Sequence, residues 1–129
     1  MPTGATVVDI GSGAGTDLLL VAFHVGPHGR AIGVDMTDAM RDRARRGATA
    51  CGLLHVEVRE GEATALPIDA DSVDVVISNG VLNLVPEKSA AIAEIRRVLK
   101  PGGRLQIADI ALGVELPEDA RQDIDLWTG

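Results

Sequence analysis

"VVDIGSGAGTD", residues 7 to 17, opens with four strand-forming positions and then packs three glycines into five residues. A glycine inside a regular element costs roughly 0.5 to 1 kcal/mol relative to alanine, so this density marks a turn whose shape side chains would block. Upstream, Thr6 to Ile10 reads as a buried strand. Downstream, the apolar run "DLLLVAFHV" predicts a helix from Thr16 to Val25, stopped by "GPHG" at 26 to 29. A strand, a glycine turn and a helix in that order open the chain.

The same grammar continues. Ala31 to Asp35 predicts a second strand, and Thr37 can cap a helix whose apolar positions Met40, Ala44, Ala48 and Cys51 recur near helical spacing before Gly52 stops it. "HVEVR", 55 to 59, alternates polar and apolar residues as an edge strand does, whereas "VDVVIS", 73 to 78, is nearly continuous Val and Ile and belongs at a sheet centre. Pro86 opens a third helix with Ala91, Ile92, Ile95, Val98 and Leu99 on one stripe, closed by "KPGG" at 100 to 103. Leu105 to Ile110 supplies a fifth strand, and Pro117 starts a last helix that aligns Ala120, Ile124 and Trp127.

Alternating strands and helices imply parallel strands joined by right-handed crossovers, an α/β doubly wound sheet. In such sheets ligands sit beyond the carboxyl ends of the strands, where the glycine turn falls.

The totals are consistent with this. At 129 residues the chain is expected to be a single, incomplete domain, 1–129. Hydrophobic residues make up 46% of it and aromatics 2%, so the core is built from Val, Ile, Leu and Ala. A net charge of -7 argues against a nucleic-acid surface, which needs clustered Lys and Arg. The one cysteine, Cys51, excludes an internal disulfide and fits a reducing compartment. No stretch approaches the roughly 20 apolar residues of a membrane span, and the start lacks the blocks of a signal peptide. A soluble cytoplasmic protein is expected.

Gly11, Gly13 and Gly15 would expose backbone amides near the positive end of a helix dipole, a place that favours an anionic group. Twenty residues beyond Gly15, Asp35 ends the second strand, where a carboxylate can take both hydroxyls of a ribose. Together they describe a nucleoside-containing cofactor. The dinucleotide fingerprint G-x-G-x-x-G would need glycine at 16, where Thr16 stands. Asp9, two residues before Gly11, would repel a pyrophosphate but suits a cationic group. S-adenosylmethionine, with an ammonium, a carboxylate and a sulfonium beside its ribose, offers that combination.

The remaining candidates read as structural. His24 lies within an apolar helical run, His28 in a glycine loop, and His55 at a solvated strand start. Cys51 sits on an apolar stripe, where free cysteine behaves as a small hydrophobe. "RDRARR", 41 to 46, is a wet helix face. Asp69, Asp71 and Asp74 flank a turn without a calcium-loop pattern, and no metal is expected.

"VVDIGSGAGTD", "GVDMT", "EGEATALP", "DVVISNGVLNLVP" and "RVLKPGGRL" stand in the order found in the class I S-adenosylmethionine-dependent methyltransferases. The chain resembles that family. "GVDMTDAM", "SNGVLNLVPEK", "ADI" and "ELPEDARQDIDLW" resemble its arsenite methyltransferase branch more narrowly, with ubiquinone and menaquinone C-methyltransferases as relatives. The resemblance implies that Asp9, Gly11, Ser12, Gly13 and Gly15 hold the methionine end of S-adenosylmethionine. It likewise implies that Asp35 binds the ribose hydroxyls, Met36 packs on the adenine, Glu62 and Ala63 meet the adenine amino group, and Asn79 lies beside the transferred methyl. Glu62 departs from the Asp common at its position.

The resemblance also exposes departures. The arsenite branch binds its metalloid through several cysteine thiolates, one of them commonly at the position of Gly80, so a three-thiolate site cannot form within one copy of this chain. The two strands that usually complete the methyltransferase sheet are not represented. The expectation is therefore a Rossmann-like core, an incomplete form of the full domain in that family, with five strands in the order 3-2-1-4-5 and an unprotected fifth-strand edge that invites a homodimer. A small-molecule methyl acceptor is implied, and no general base stands out, because displacement at a sulfonium needs alignment more than proton transfer. Two alternatives stay open: a binding module that holds S-adenosylmethionine without catalysis, and an NAD-binding oxidoreductase fragment.

Overall fold

The computed structural model describes residues 3–79 and 86–108. Eight elements follow one another: β1 (Thr6–Ile10), α1 (Thr16–Val25), β2 (Arg30–Asp35), α2 (Asp38–Ala50), β3 (Val56–Glu60), β4 (Val73–Asn79), α3 (Lys88–Val98) and β5 (Leu99–Ala108). The strands form one parallel sheet in the order β3-β2-β1-β4-β5, the order expected from sequence. The predicted helix after Pro117 and the end of the predicted strand at Ile110 lie outside the described residues.

Alternation along the strands sorts side chains to two faces. Val8 and Ile10 of β1 join Ile32, Val34 and Val76 in a buried layer under Ala91, Ile95 and Val98 of α3. Val7 points the other way, onto Val21 and Val25 of α1. Beside that layer, Leu18 and Ala22 of α1 pack on Ala44 of α2, Ala31 and Val58. With helices on both faces, β1 and β4 need apolar side chains in both directions, which is why their sequences read as unbroken runs. Each fully buried Val or Ile contributes on the order of 1.5 to 3 kcal/mol.

Several expectations are corrected. Leu99, in phase with the α3 stripe, leaves the helix and pairs with Val73. Val75 pairs with Arg104, so residues 100 to 103 bulge out of a strand they were expected to precede. The neighbouring β4 captures Leu99 because its ladder groups need partners. Pro86 stands outside α3, whose N-cap is Glu87. Thr37 does occupy the N-cap of α2, but its hydroxyl makes no capping bond. Cys51 is exposed at the C-cap, past the last turn that α2 buries, and Gly52 (φ +68°) ends the helix as predicted. His55 is tied to the fold by Nε2, 2.7 Å from the Ala22 carbonyl. In "RDRARR", Arg41 is buried and Arg45 donates to the Val58 carbonyl at 2.9 Å, so the run is only in part a wet face. Asp74 accepts the Thr6 amide at 2.8 Å and pairs with Lys100, a structural role.

Among the described residues no helix is long and apolar enough to cross a membrane. No group of three or more His, Cys, Asp or Glu there is placed to hold a metal ion.

Candidate cofactor site

The glycine turn runs from the end of β1 into α1. Gly11, Gly13 and Gly15 all hold positive φ, at +69°, +56° and +93°, so the density of glycine has a conformational cause. Gly15 is also pressed against α2: a β-carbon there would lie 2.8 Å from Cβ of Ala44. The Gly11 and Ser12 amides both donate to the Val34 carbonyl, at 2.7 and 3.2 Å, which folds the turn over the end of β2.

Asp35 receives it. Its Oδ2 accepts the Gly13 amide at 3.0 Å and its Oδ1 accepts the Thr37 amide at 2.9 Å. One carboxylate thus joins the glycine turn, the end of β2 and the start of α2. Each oxygen keeps a lone-pair direction for a further donor.

Beside this junction lies a cavity of about 470 Å³, within the size range of small-molecule sites. Ile10 and Gly11 line it from the end of β1 and the turn after it, Val34, Asp35 and Met36 from the end of β2 and the residue that follows, Gly61 to Thr64 from the loop after β3, and Pro86 and Glu87 from the approach to α3. Among the described residues its charged lining is Asp35, Glu62 and Glu87, all acidic. Such a wall repels phosphates and suits a ligand carrying positive charge.

Of the ten residues expected from sequence, Gly11, Asp35, Met36, Glu62 and Ala63 line the cavity together. Gly13 reaches it through Asp35. Asp9, Ser12 and Gly15 sit beneath or beside the turn rather than in the lining. Asn79 ends β4 in register with Ala108, and Gly80 lies outside the described residues. Among the lining residues that sequence did not single out are Pro86, Glu87 and Thr64. Their only signal was position, two of them just before a helix and one beside Glu62.

Asp9 is 2% exposed. Burial, and then the negative charges of Asp17 and Asp35, push its carboxyl from an ordinary 3.8 to about 7. Such a group is poised to ionise when a cation arrives. The Ser12 and Ser78 hydroxyls are buried without a partner among the described residues.

Residues 2–128 match the family model described as a methyltransferase domain. The chain belongs to that family. It is 47% identical over 129 residues to an arsenite methyltransferase of Halobacterium salinarum, an alignment that covers all of this chain and 33% of the relative. A solved arsenic(III) S-adenosylmethionine methyltransferase from Chlamydomonas reinhardtii superposes with a TM-score of 0.78 at 33% identity, over 98% of this chain and 46% of that one. A SAM-dependent methyltransferase from Aquifex aeolicus gives 0.77 at 30% identity, over 81% and 56%. The chain thus spans about a third of the curated relative's length.

Proposed function

We propose that this chain is the cofactor-binding core, 1–129, of an S-adenosylmethionine-dependent methyltransferase of the arsenite type, acting on a small molecule. One observation carries the reading: the Asp35 carboxylate holds the glycine turn at the mouth of an acid-lined cavity. The acidic lining and the poised Asp9 fit a ligand with an ammonium and a sulfonium better than one with a pyrophosphate, which disfavours the NAD alternative.

When bound, S-adenosylmethionine supplies an electrophilic methyl group on a cationic sulfur. The free lone pairs of Asp35 would accept the ribose hydroxyls. Met36 and Ala63 would flank the base, and Glu62 would accept from its amino group. Gly11, Ser12, Gly13 and Gly15 would shape the seat of the methionine end, with Asp9 beneath it and Asn79 across the sheet. These residues orient and hold; none is assigned a proton transfer. Fixing two reactants in a near-attack pose supplies several kcal/mol of a displacement barrier.

Isothermal titration with S-adenosylhomocysteine tests the reading, with saturable binding expected and absence of heat overturning it. Thermal protection by NAD alone would favour the oxidoreductase fragment. Binding without turnover on thiols, metalloids and quinol precursors would favour the non-catalytic module. The cytoplasmic assignment rests on the lone Cys51 and would fail if fractionation placed the protein elsewhere. At β5, one of the two sheet edges among the described residues, unpaired ladder groups support pairing with a second copy, and a monomeric mass in solution would exclude it.

A further inference from the structure

Arg41 is a cation in an unusual place. It is 6% exposed, on the face of α2 that otherwise buries only Ala44 and Ala48. Burying a charge is unfavourable unless it is paired and hydrogen-bonded, and an apolar residue could fill the same volume at no such cost. The guanidinium is satisfied in two directions at once. Nη2 bonds the carboxylate of Asp38, and Nη1 donates to the backbone carbonyl of Asp35 at 2.9 Å.

That carbonyl belongs to the peptide joining Asp35 to Met36, and both residues line the cavity. Its rotation sets where the Asp35 carboxylate and the Met36 side chain can point. The carboxylate is fixed from the opposite side by the Gly13 and Thr37 amides, so the guanidinium closes a frame around one peptide. A rigid planar fork can hold two acceptors in fixed relation, which a single ammonium cannot.

We infer that Arg41 is a positioning residue for ribose recognition: by clamping the Asp35–Met36 peptide it aims the Asp35 carboxylate at the ligand's hydroxyl groups. This rests on the reading that the cavity takes an adenosyl ligand. Arg41 itself is not part of the cavity lining.

The test compares the affinities of 5′-methylthioadenosine and its 2′-deoxy counterpart, by titration calorimetry, for wild type, R41M, R41K and D38N. Wild type is expected to prefer the ribose form by at least about tenfold, because a site built to bond a hydroxyl rejects an analogue that lacks it. In R41M that preference should shrink to within about threefold, chiefly through loss on the ribose form, and R41K should fail to restore it. Should R41M not fold, D38N decides. The Asp38 side chain is 91% exposed, and its neutralisation loosens the same clamp, so the preference should fall part of the way. Equal weakening of both nucleosides in R41M, or an unchanged ratio in D38N if R41M is lost, would overturn the inference and leave Arg41 a purely structural residue. Binding of neither nucleoside by wild type would overturn the adenosyl reading, and this inference with it.

Discussion

The Gly13 amide donates to Oδ2 of Asp35 across 22 positions of sequence, at 3.0 Å. The glycine turn and the acid at the end of β2 are therefore one unit before any ligand binds, and the acid is oriented by the amide rather than left to rotate. Asp35→Ala should raise the dissociation constant of S-adenosylhomocysteine by at least about tenfold, since it removes an ionised acceptor and releases the turn. The loss of fold stability should be only about 1 to 2 kcal/mol, because the two freed amides are not deeply buried. Titration calorimetry and urea denaturation measure the two effects, and unchanged affinity would detach Asp35 from the site.

Asp9 makes stability depend on pH in a stated direction. Its folded-state value near 7 lies above the ordinary 3.8, so between them the folded chain holds a proton that the unfolded chain releases. Stability is then fully present below about pH 4 and is lost as pH rises toward and through about 7. From about pH 5 to pH 8 the wild type should lose about 2 to 3 kcal/mol that Asp9→Asn does not. Parallel denaturation curves for the two proteins across that range would show that Asp9 is not the proton carrier.

What sequence made legible was local or periodic. The runs 7–10 and 73–78 announced strands buried on both faces, alternation of elements implied a parallel doubly wound sheet, and the family resemblance implied its strand order. Gly11 to Gly15 and Asp35 could be paired because a turn and an acid one crossover apart must meet at the same sheet edge. Arg41 was hidden because it stands among charges whose neighbours face water, and only packing of α2 on the sheet singles it out. Leu99 and Cys51 were assigned by helical phase, which says nothing of where a helix ends. Pro86 and Glu87 reach the cavity from an element far along the chain, a tertiary fact with no periodic trace.

Gly15 and Gly13 separate two demands on the turn. At Gly15 an alanine would meet both a left-handed φ of +93° and a contact of 2.8 Å with Ala44, whereas at Gly13 (φ +56°) nothing lies within 4 Å. Gly13→Ala should cost about 1 kcal/mol, the ordinary penalty of the left-handed region. Gly15→Ala should add an overpacking cost of about 1 to 3 kcal/mol and lower the melting temperature distinctly further. Equal melting temperatures would mean that α1 shifts away from α2 without penalty.

Arg97, near the end of α3, braces the cavity wall from behind. Its Nη1 donates to the Ile68 carbonyl at 2.9 Å and its Nη2 to the Leu66 carbonyl at 3.0 Å, while Glu94, paired with it at 2.6 Å, accepts the Leu66 amide at 2.8 Å. Both backbone groups of Leu66 are thereby held by one ion pair, two residues after the Glu62–Thr64 lining. The Arg97 hydrogen bond holds the Glu94 carboxyl below its ordinary value, partly offset by burial. This support is therefore present above the unfolded-state value and lost as pH falls through the folded one. The Arg97 side chain is 38% exposed, so solvent screens its ion pair and Arg97→Met should change global stability little. The local effect should be larger: faster hydrogen exchange at the Leu66 amide, and S-adenosylhomocysteine binding about threefold weaker as the wall loosens. An unchanged Leu66 exchange rate in this variant would show that the loop keeps its shape without α3.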